Sequence, residues 1–548
     1  MSRSPSPSFN SMSEKHSERE KENRPCDCSP HVLPSHLSAK SVQPVSLPVV
    51  PHLLLPSPTA GLFSAASRIR PTSDSDLAYA RFLHDYPLYS SSWHVDALRR
   101  SEYARLAPDE TYVDYMGGAL YPASLISVHA DFLQTAVLGN THSESPSSKL
   151  SAALTATARA AVLSFFNAPP GSTVIFTANA SAALKLVGEA FPFTPGAAFI
   201  LPEDAHNSVH GIREFAKAKG APIVYLSSPP QGGVRIKEVF VVSLISIAPA
   251  QAPPRYSHIL VNQILLTQSR HSWSLHMLPV AASPRCLMRQ LWHRPQPIDL
   301  TNTPVDAVAV SFYKMFGFPT GIGALVLAPG IGAWLREKRP WFAGGTVEVV
   351  QVPGTAVGRT AAIDEAFEDG TLNYTLLPAV TTGLRLLGAY LPALPARIAA
   401  LSAACARLLE DIRWPQSGAP AVRVLSRVSG APPEPGEAVQ GAGGVVSCLM
   451  FDERGDPIPL SRVASHAAAN GIALRTGCMC NPGGAATLLS LGSHHGCSRS
   501  WRRQPSADSS CSRRGCRARA WRCADQLRSS KLLDRRVACE VLGDAGDK

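Results

Sequence analysis

Lys314 stands in the run SFYKMFGFPTGIGALVL (311 to 327), directly after an apolar segment and just before a glycine-rich turn. An amine held at a strand end and partly withdrawn from water has a lowered pKa and a fixed direction, which suits it to form a Schiff base with an aldehyde cofactor. A lysine met alone is normally a surface residue. Its surroundings argue otherwise: Ser311 and Tyr313 flank it with hydroxyls able to reach a phosphate. FTANASAALKL (176 to 186) adds a strand, a turn of small residues and a helix N-terminus, where backbone N–H groups and the helix dipole favour an anion. Taken alone, that run reads equally well as an ordinary helix cap at Asn179 or Ser181.

A second reactive pair is Cys478-Met479-Cys480, in a loop bounded by Gly477 and Gly483. A thiolate that must reach a substrate sulfur and then turn to an acceptor belongs on a mobile, partly exposed loop and not in a core. Two thiols one residue apart also suit a metal, but Cys448 and Cys497 stand at no zinc-type spacing from them. Sulfur chemistry is therefore the better reading, and no metal site is expected.

The elements that must position these residues alternate. TVIFT (173 to 177), AAFIL (197 to 201) and PIVYL (222 to 226) read as buried strands, separated by helices over 181–190 and 206–219. DAVAVSF (306 to 312) and IGALVLA (322 to 328) add strands on either side of Lys314. Such alternation implies an α/β fold with a mainly parallel sheet and helices on both faces. A long Ala/Leu-rich helix from Pro392 to Ile412 leads to a smaller α+β unit with a strand in GGVVSCLMF (443 to 451), a helix near 460–470 and the strand IALRT before the cysteines. The expected organisation is a disordered Ser/Pro-rich segment over 1–78, a large domain over 79–390, a small C-terminal domain over 391–490 and a basic, disordered tail over 491–548.

At 548 residues and 45% hydrophobic content the chain can bury a sizeable core. Its most apolar early stretch, Ser46 to Phe63, is broken by Pro48, Pro51, Pro56 and Pro58, so neither a membrane helix nor a signal segment is expected, and a cytoplasmic protein with reduced thiols is. The net charge of +11 is concentrated: from Cys497 to Lys548, thirteen Arg or Lys face six Asp or Glu, a net +7. Arg-rich sequence without interleaved aromatics is weak evidence for a nucleic-acid partner, and none is expected. Two stretches break the pattern, Lys237 to Pro297 and the tail beyond Gly496. Their composition is that of sequence not selected to fold, such as a retained intron or a shifted reading frame would supply.

Seven runs then fall into one family's order and spacing: YVDYMGGALYP (112 to 122), GNTHSESPSSKL (139 to 150), FTANASAALKLVGEAFPF (176 to 193), HNSVHGIREFA (206 to 216), SFYKMFGFPTGIGAL (311 to 325), FEDGTLNY (367 to 374) and RTGCMCNPG (475 to 483). Over about 110–226 and 298–485 the chain resembles the class V aminotransferase and cysteine desulfurase group, in particular the desulfurase domain of eukaryotic molybdenum cofactor sulfurases. The resemblance implies a pyridoxal 5'-phosphate (PLP) enzyme of fold type I, with Lys314 as the cofactor lysine and His206 against the pyridine ring. It implies Ala180, Ser181, Ser311 and Tyr313 as phosphate ligands, and Thr371 as a phosphate contact given to the neighbouring subunit of a homodimer. It implies further that Cys480 carries a persulfide drawn from L-cysteine, with Cys478 as helper, and passes the sulfur to the molybdenum cofactor or a sulfur-acceptor protein. Asn140 and His142 fit structural turn roles equally well.

The chain also departs from that pattern. Relatives place an Asp against the pyridine nitrogen, whereas no Asp occurs from 205 to 298 here. Relatives hold the substrate carboxylate with an Arg in a late strand, whereas LLSLGS (488 to 493) has none and RRVACEVLG (535 to 543) is a faint match. Only 68 residues follow Cys480, fewer than a molybdopterin-binding domain needs. The expectation is a desulfurase of little or no activity as written, with another class V PLP enzyme, a lyase or transaminase, or a non-catalytic remnant as the alternatives.

Overall fold

A computed structural model describes residues 74–228 except 108 and 197, the strands 258–263 and 286–290, residues 298–426 except 303, and residues 444–489 except 479. After β1 (Thr111–Tyr112) come seven strands: β2 (Thr173–Thr177), β3 (Ala198–Pro202), β4 (Ile223–Leu226), β5 (His258–Gln263), β6 (Cys286–Gln290), β7 (Ala307–Ser311) and β8 (Gly323–Leu327). They form one sheet in the order β2-β8-β7-β6-β5-β3-β4. β8 runs against both of its neighbours, and the other pairs are parallel. Helices make the connections: Ala180–Ala190 carries the chain across the sheet from β2 to β3, and Asn207–His210 followed by Ile212–Ala218 makes the crossover between the parallel neighbours β3 and β4.

The central strands are apolar because both sheet faces are covered. Every residue of β3, β7 and β8 is buried. Side chains still alternate between two cores: Ala307, Ala309, Leu325 and Leu327 face a cluster with Leu184, Val187, Phe191 and Phe199. Val308, Val310, Ala324 and Val326 face another with Val162, Phe166, Leu377 and Leu384. The rest is local: a hairpin of β9 (Val347–Val350) and β10 (Val357–Arg359), an antiparallel pair of β11 (Val422–Val424) and β12 (Cys448–Met450), and β13 (Ile472–Ala473). β13 pairs in parallel with β1, Thr111 opposite Ile472 and Tyr112 opposite Ala473, which brings the approach to the cysteine loop alongside the start of the domain.

Several expectations are corrected. The helix expected over 206–219 is two short helices that meet at Gly211, whose N–H is already taken by the carbonyls of Asn207 and Val209. The stretch 237–297, which shows no periodicity, contributes β5 and β6 to the centre of the sheet, paired residue for residue over five positions from Ile259–Cys286 to Gln263–Gln290. A helix, Asp74–Asp85, begins inside the segment assigned to disorder, so the boundary at 78 is late. The remainder of 1–73, the rest of 229–297 and the tail over 491–548 lie outside the described residues. Among the described residues no single helix is long and apolar enough to cross a membrane.

Two arginines, Arg339 buried and Arg159 partly so, fix the segment that leads to Thr371. Arg159, on the helix Pro146–Phe165, forks onto Glu368 at 2.7 and 2.6 Å and reaches Asp364 at 3.1 Å, and the N–H of Phe176 donates to Glu368 at 2.7 Å. Arg339 holds Asp369 at 2.6 Å and donates to the carbonyl of Ala366 at 3.1 Å. Glu368→Ala leaves Arg159 with Asp364 and the Val174 carbonyl, and strips the acceptor from Phe176. It is expected to cost about 3 kcal/mol, the lower end for breaking a buried pair, read as a lower midpoint in thermal or urea denaturation, with Glu368→Gln losing less.

Candidate active site

The lysine segment leaves the sheet at Ser311, turns at Phe312 and forms a single helical turn, Tyr313–Phe316. Gly317 ends that turn at φ +82°, and a Cβ there would lie 2.5 Å from the Cα of Tyr121, so both the left-handed backbone and the close approach require glycine. The neighbouring turn is suspended from the same segment: Ala119 N donates to the Tyr313 carbonyl at 3.1 Å, and Gly118 lies against the Tyr313 ring. Lys314 is thereby roofed by the run at 114–121, and burial pulls its pKa down to about 8. The Cys480 thiolate opposes that shift, Arg475 adds to it and Asp114 opposes it, so all three groups lie within electrostatic reach of the amine.

On the sheet side, the Oγ of Ser311 accepts the Ala180 N–H at 2.8 Å, joining the end of β7 to the first turn of Ala180–Ala190. Asn179 caps that helix, its side chain accepting from Ala182 N at 3.0 Å. Ser181 meets Ser208 hydroxyl to hydroxyl at 2.6 Å. Ser208 N in turn donates to Nδ1 of His206 at 3.0 Å, which leaves the proton of the neutral ring on Nε2. Burial first, then the Lys314 charge and His210, lower the His206 pKa to about 4, so the ring is uncharged at neutral pH.

The cysteine loop docks on this same turn. Asn207 N donates to the Cys480 carbonyl at 2.7 Å, while Asn481 N closes back onto the Cys478 carbonyl at 2.8 Å and Asn481 caps the next helix through Gly484 N at 3.0 Å. Both thiols are exposed. Cys480 adopts φ +63°, a left-handed backbone that costs a β-carbon-bearing residue on the order of 1 kcal/mol. The loop is therefore held in place and not freely swinging.

Lys314, Cys480, His206, Ala180, Ser181 and Ser311 thus belong to one connected region. Tyr313 lies there too, its hydroxyl influenced by Arg475 and Cys480. Cys478 shares the loop. Thr371 stands apart: it is exposed, and its hydroxyl accepts from Asn140 Nδ2 at 3.2 Å, with His142 N bonded to the Asn140 side chain. Among the described residues no group of three or more His, Cys, Asp or Glu is placed to hold a metal ion. Sequence reasoning did not single out Arg475, Asp114, Asn207 or Ser208, although each sits inside or beside a quoted run. For the first two nothing local could have: they are partners across 361 residues.

The fit to a phosphorylated aldehyde is good on three sides. A half-buried amine of lowered pKa would hold the aldehyde carbon, a helix N-terminus with the Ser181 and Ser311 hydroxyls would take the phosphate, and a neutral, buried imidazole supplies an aromatic face. The Asp that the resemblance places against the ring nitrogen has no counterpart in the sequence, since no Asp occurs from 205 to 298.

The model of the family Aminotransferase class-V matches residues 111–245 and 292–421. Among similar chains, molybdenum cofactor sulfurase of Bos taurus is 32% identical over 449 residues, covering 76% of this chain and 48% of that protein. Molybdenum cofactor sulfurase of Solanum lycopersicum is 29% identical, covering 75% and 53%. The chain thus spans about half the length of the curated relatives it matches. Among solved structures, the apo cysteine desulfurase of Thermococcus onnurineus NA1 has a TM-score of 0.55 at 17% identity, covering 72% of this chain and 90% of that one. A cysteine desulfurase of Escherichia coli gives 0.52 at 20% identity, with 72% and 90% covered. These two likenesses show the fold, fold type I.

Two outcomes follow from the geometry. Asn207 is the first helical residue after the His206 cap, and His206 is extended at φ −66°, ψ 148°, a place and a preceding conformation that proline accepts. Asn207→Pro removes the N–H given to Cys480 while sparing the helix, so alkylation of Cys480 by iodoacetamide, followed by peptide mass, should speed up roughly fivefold, the worth of one neutral hydrogen bond. An unchanged rate would mean that the bond does not hold the loop. In the cofactor-free chain, reductive methylation of Lys314 should rise with pH through a midpoint near 8, the pKa that burial sets. Solvated lysines titrate near about 10.4, and a midpoint for Lys314 in that range would contradict the placement.

Proposed function

The matched domain of this chain belongs to the class-V aminotransferase family, and from that premise we propose that the chain takes sulfur from L-cysteine onto Cys480, using PLP on Lys314, and passes it to an acceptor. The observation that carries the reading is the convergence of an amine and a thiol: Lys314 is half-buried with its charge acting on His206, and the next residue, Asn207, holds the Cys480 carbonyl at 2.7 Å. When bound, PLP supplies an electron sink for the substrate's Cα. The chain's own residues do the rest. Ala180, Ser181 and Ser311 hold the phosphate end, and His206 lies against the ring. Lys314 would hold the aldehyde carbon, and its amine, pulled down to about 8 by burial, is the group that would take the proton from Cα. The Cys480 thiolate attacks the substrate sulfur, the Cβ–S bond breaks with its electron pair going to carbon, and protonation there gives alanine. In balance, L-cysteine and the Cys480 thiol become L-alanine and a Cys480 persulfide.

The relatives are named molybdenum cofactor sulfurase, and the acceptor we propose is that cofactor or a protein thiol. A homodimer is part of the reading. Gly370 N is bonded to Gly344 O at 2.9 Å, which sets Thr371 beside the turn that leads into the β9–β10 hairpin, whose Val349 and nearby Val352 are 65% and 84% exposed. A second copy covering that apolar hairpin would bring Thr371 toward its phosphate site. Without an acid at the ring-nitrogen edge the Cα electrons are poorly stabilised. Loss of one charge-assisted contact slows such a step roughly ten- to a hundredfold, so turnover is expected to be slow.

The test is the purified chain with PLP and L-cysteine, followed by alanine and sulfide. Slow alanine formation is expected, with the cofactor absorbance lost in Lys314→Ala and retained in Cys480→Ser, which should form no persulfide. Equal sulfide release by Cys480→Ser and the parent would sink the persulfide reading and leave a lyase.

A further inference from the structure

Arg475 leaves β13 and crosses the Gly117–Gly118 turn, so that its Nε and one Nη donate to the two carboxylate oxygens of Asp114 at 2.7 and 3.0 Å. A Cβ on Gly117 would collide with that guanidinium, so the bare turn is what admits it. The same turn is bonded through Ala119 to Tyr313, the residue before Lys314. Arg475 is therefore held on the roof of the lysine site, five residues ahead of Cys480. The influence of Arg475 on the pKa of both Lys314 and Tyr313 agrees with that placement.

This fork-to-fork pairing is the geometry in which a guanidinium grips a carboxylate with most direction. A cysteine substrate presents three groups: an amine, which Lys314 surrenders its place to, a thiol, which faces Cys480, and an α-carboxylate, for which the site must supply a cation. Arg475 is a cation that the Gly117–Gly118 turn brings beside the Lys314 segment, and an internal carboxylate already occupies its fork. We propose that Arg475 is the carboxylate anchor for the amino-acid substrate and that Asp114 is a built-in competitor, which gives up the fork when the substrate's carboxylate takes it. The inference rests on the reading above that the substrate is an α-amino acid.

The exchange is physically cheap. The side chains of Arg475 and Asp114 are 41% and 22% exposed, so the resting pair is solvent-screened and weak. Asp114 does not lose all its contacts on release, because Gly117 N donates to its Oδ1 at 3.2 Å. The consequence is specificity for a free carboxylate, at an affinity that Asp114 holds down.

The test uses L-alanine, which has the amine and carboxylate but no sulfur, against L-alaninamide, which lacks the carboxylate. Both are titrated into the PLP-loaded chain by absorbance. Arg475→Ala should weaken L-alanine about tenfold or more and leave L-alaninamide unchanged, with Arg475→Lys intermediate. Asp114→Asn should tighten L-alanine several-fold without affecting the amide. An alanine-to-amide ratio unchanged in Arg475→Ala, or equal weakening of both ligands by Asp114→Asn, would overturn the proposal and make the pair purely structural. A second measurement needs no cofactor: modification of Arg475 by phenylglyoxal, followed by peptide mass. Asp114→Asn should accelerate it, and L-alanine but not L-alaninamide should slow it; equal labelling under both ligands overturns the anchor. Failure to take up PLP counts against the proposed function alone, and the labelling still decides the anchor.

Discussion

A side chain at position 323 would put its Cβ 2.6 Å from the Cα of Asn179 and closer still to the carbonyl oxygen of Val310. Glycine is therefore the condition for two backbones to meet at the carboxyl end of β7: the strand that delivers Lys314 and the turn that opens the helix Ala180–Ala190. The rest of the site depends on that contact. It lets Ser311 take the Ala180 N–H, and this bond sets the distance between the helix N-terminus and the lysine turn. Any Cβ at 323 would push the anion end and the amine end of the site apart, and no adjustment of flexible side chains would restore them, because the colliding atoms are backbone.

The fold treats its buried cations in two ways, and the contrast explains the chemistry. Arg159 and Arg339 are given carboxylates at hydrogen-bond distance, Glu368 and Asp369, and brace the segment ending at Thr371. At Lys314 desolvation outweighs the opposing charges of Cys480 and Asp114, and the pKa falls. A brace must keep its charge, whereas an amine that is to join an aldehyde must lose its proton. His206 follows the same rule: with Nδ1 occupied by Ser208 N–H and the Lys314 charge nearby, it stays a neutral ring.

Most of the sheet was legible because strands covered on both faces read as unbroken apolar runs: the reading of 173–177 coincides with β2, and those of 306–312 and 322–328 contain β7 and β8. β5 and β6 were not, since HILVNQ and CLMRQ carry weak local signals and gain their strand character from ladders with β3, β7 and each other. The break at Gly211 is also a tertiary effect, in that the short helix before it must both cap on His206 and meet Cys480. In the site, Lys314 and Cys480 were legible as residue types in telling surroundings. Arg475 and Asp114 were not, because an ion pair between the two ends of a domain leaves no spacing to read. The stretch just downstream of the cysteines, LLSLGS, carries no arginine, and the arginine that the fold brings near Lys314 lies upstream of them.

That position has a consequence for how sulfur transfer is organised. Arg475 and Cys480 share one short loop, tied at its start to Asp114 and at its end to Asn207, with Gly477 at φ +96° between the two ties. A loop fastened at both ends and jointed at a glycine transmits displacement from one tie to the other more readily than a free loop, which absorbs it. If the substrate's carboxylate draws Arg475 from Asp114, the strained backbone at Cys480 is the nearest place for that displacement to relax, and the bond to Asn207 is what resists it. The anchor and the nucleophile are then not independent parts that happen to be neighbours. Arrival of the carboxylate at one end and exposure of the thiol at the other become two readings of one loop position, which is the arrangement a persulfide carrier needs: docked while it takes sulfur, and released to give it away.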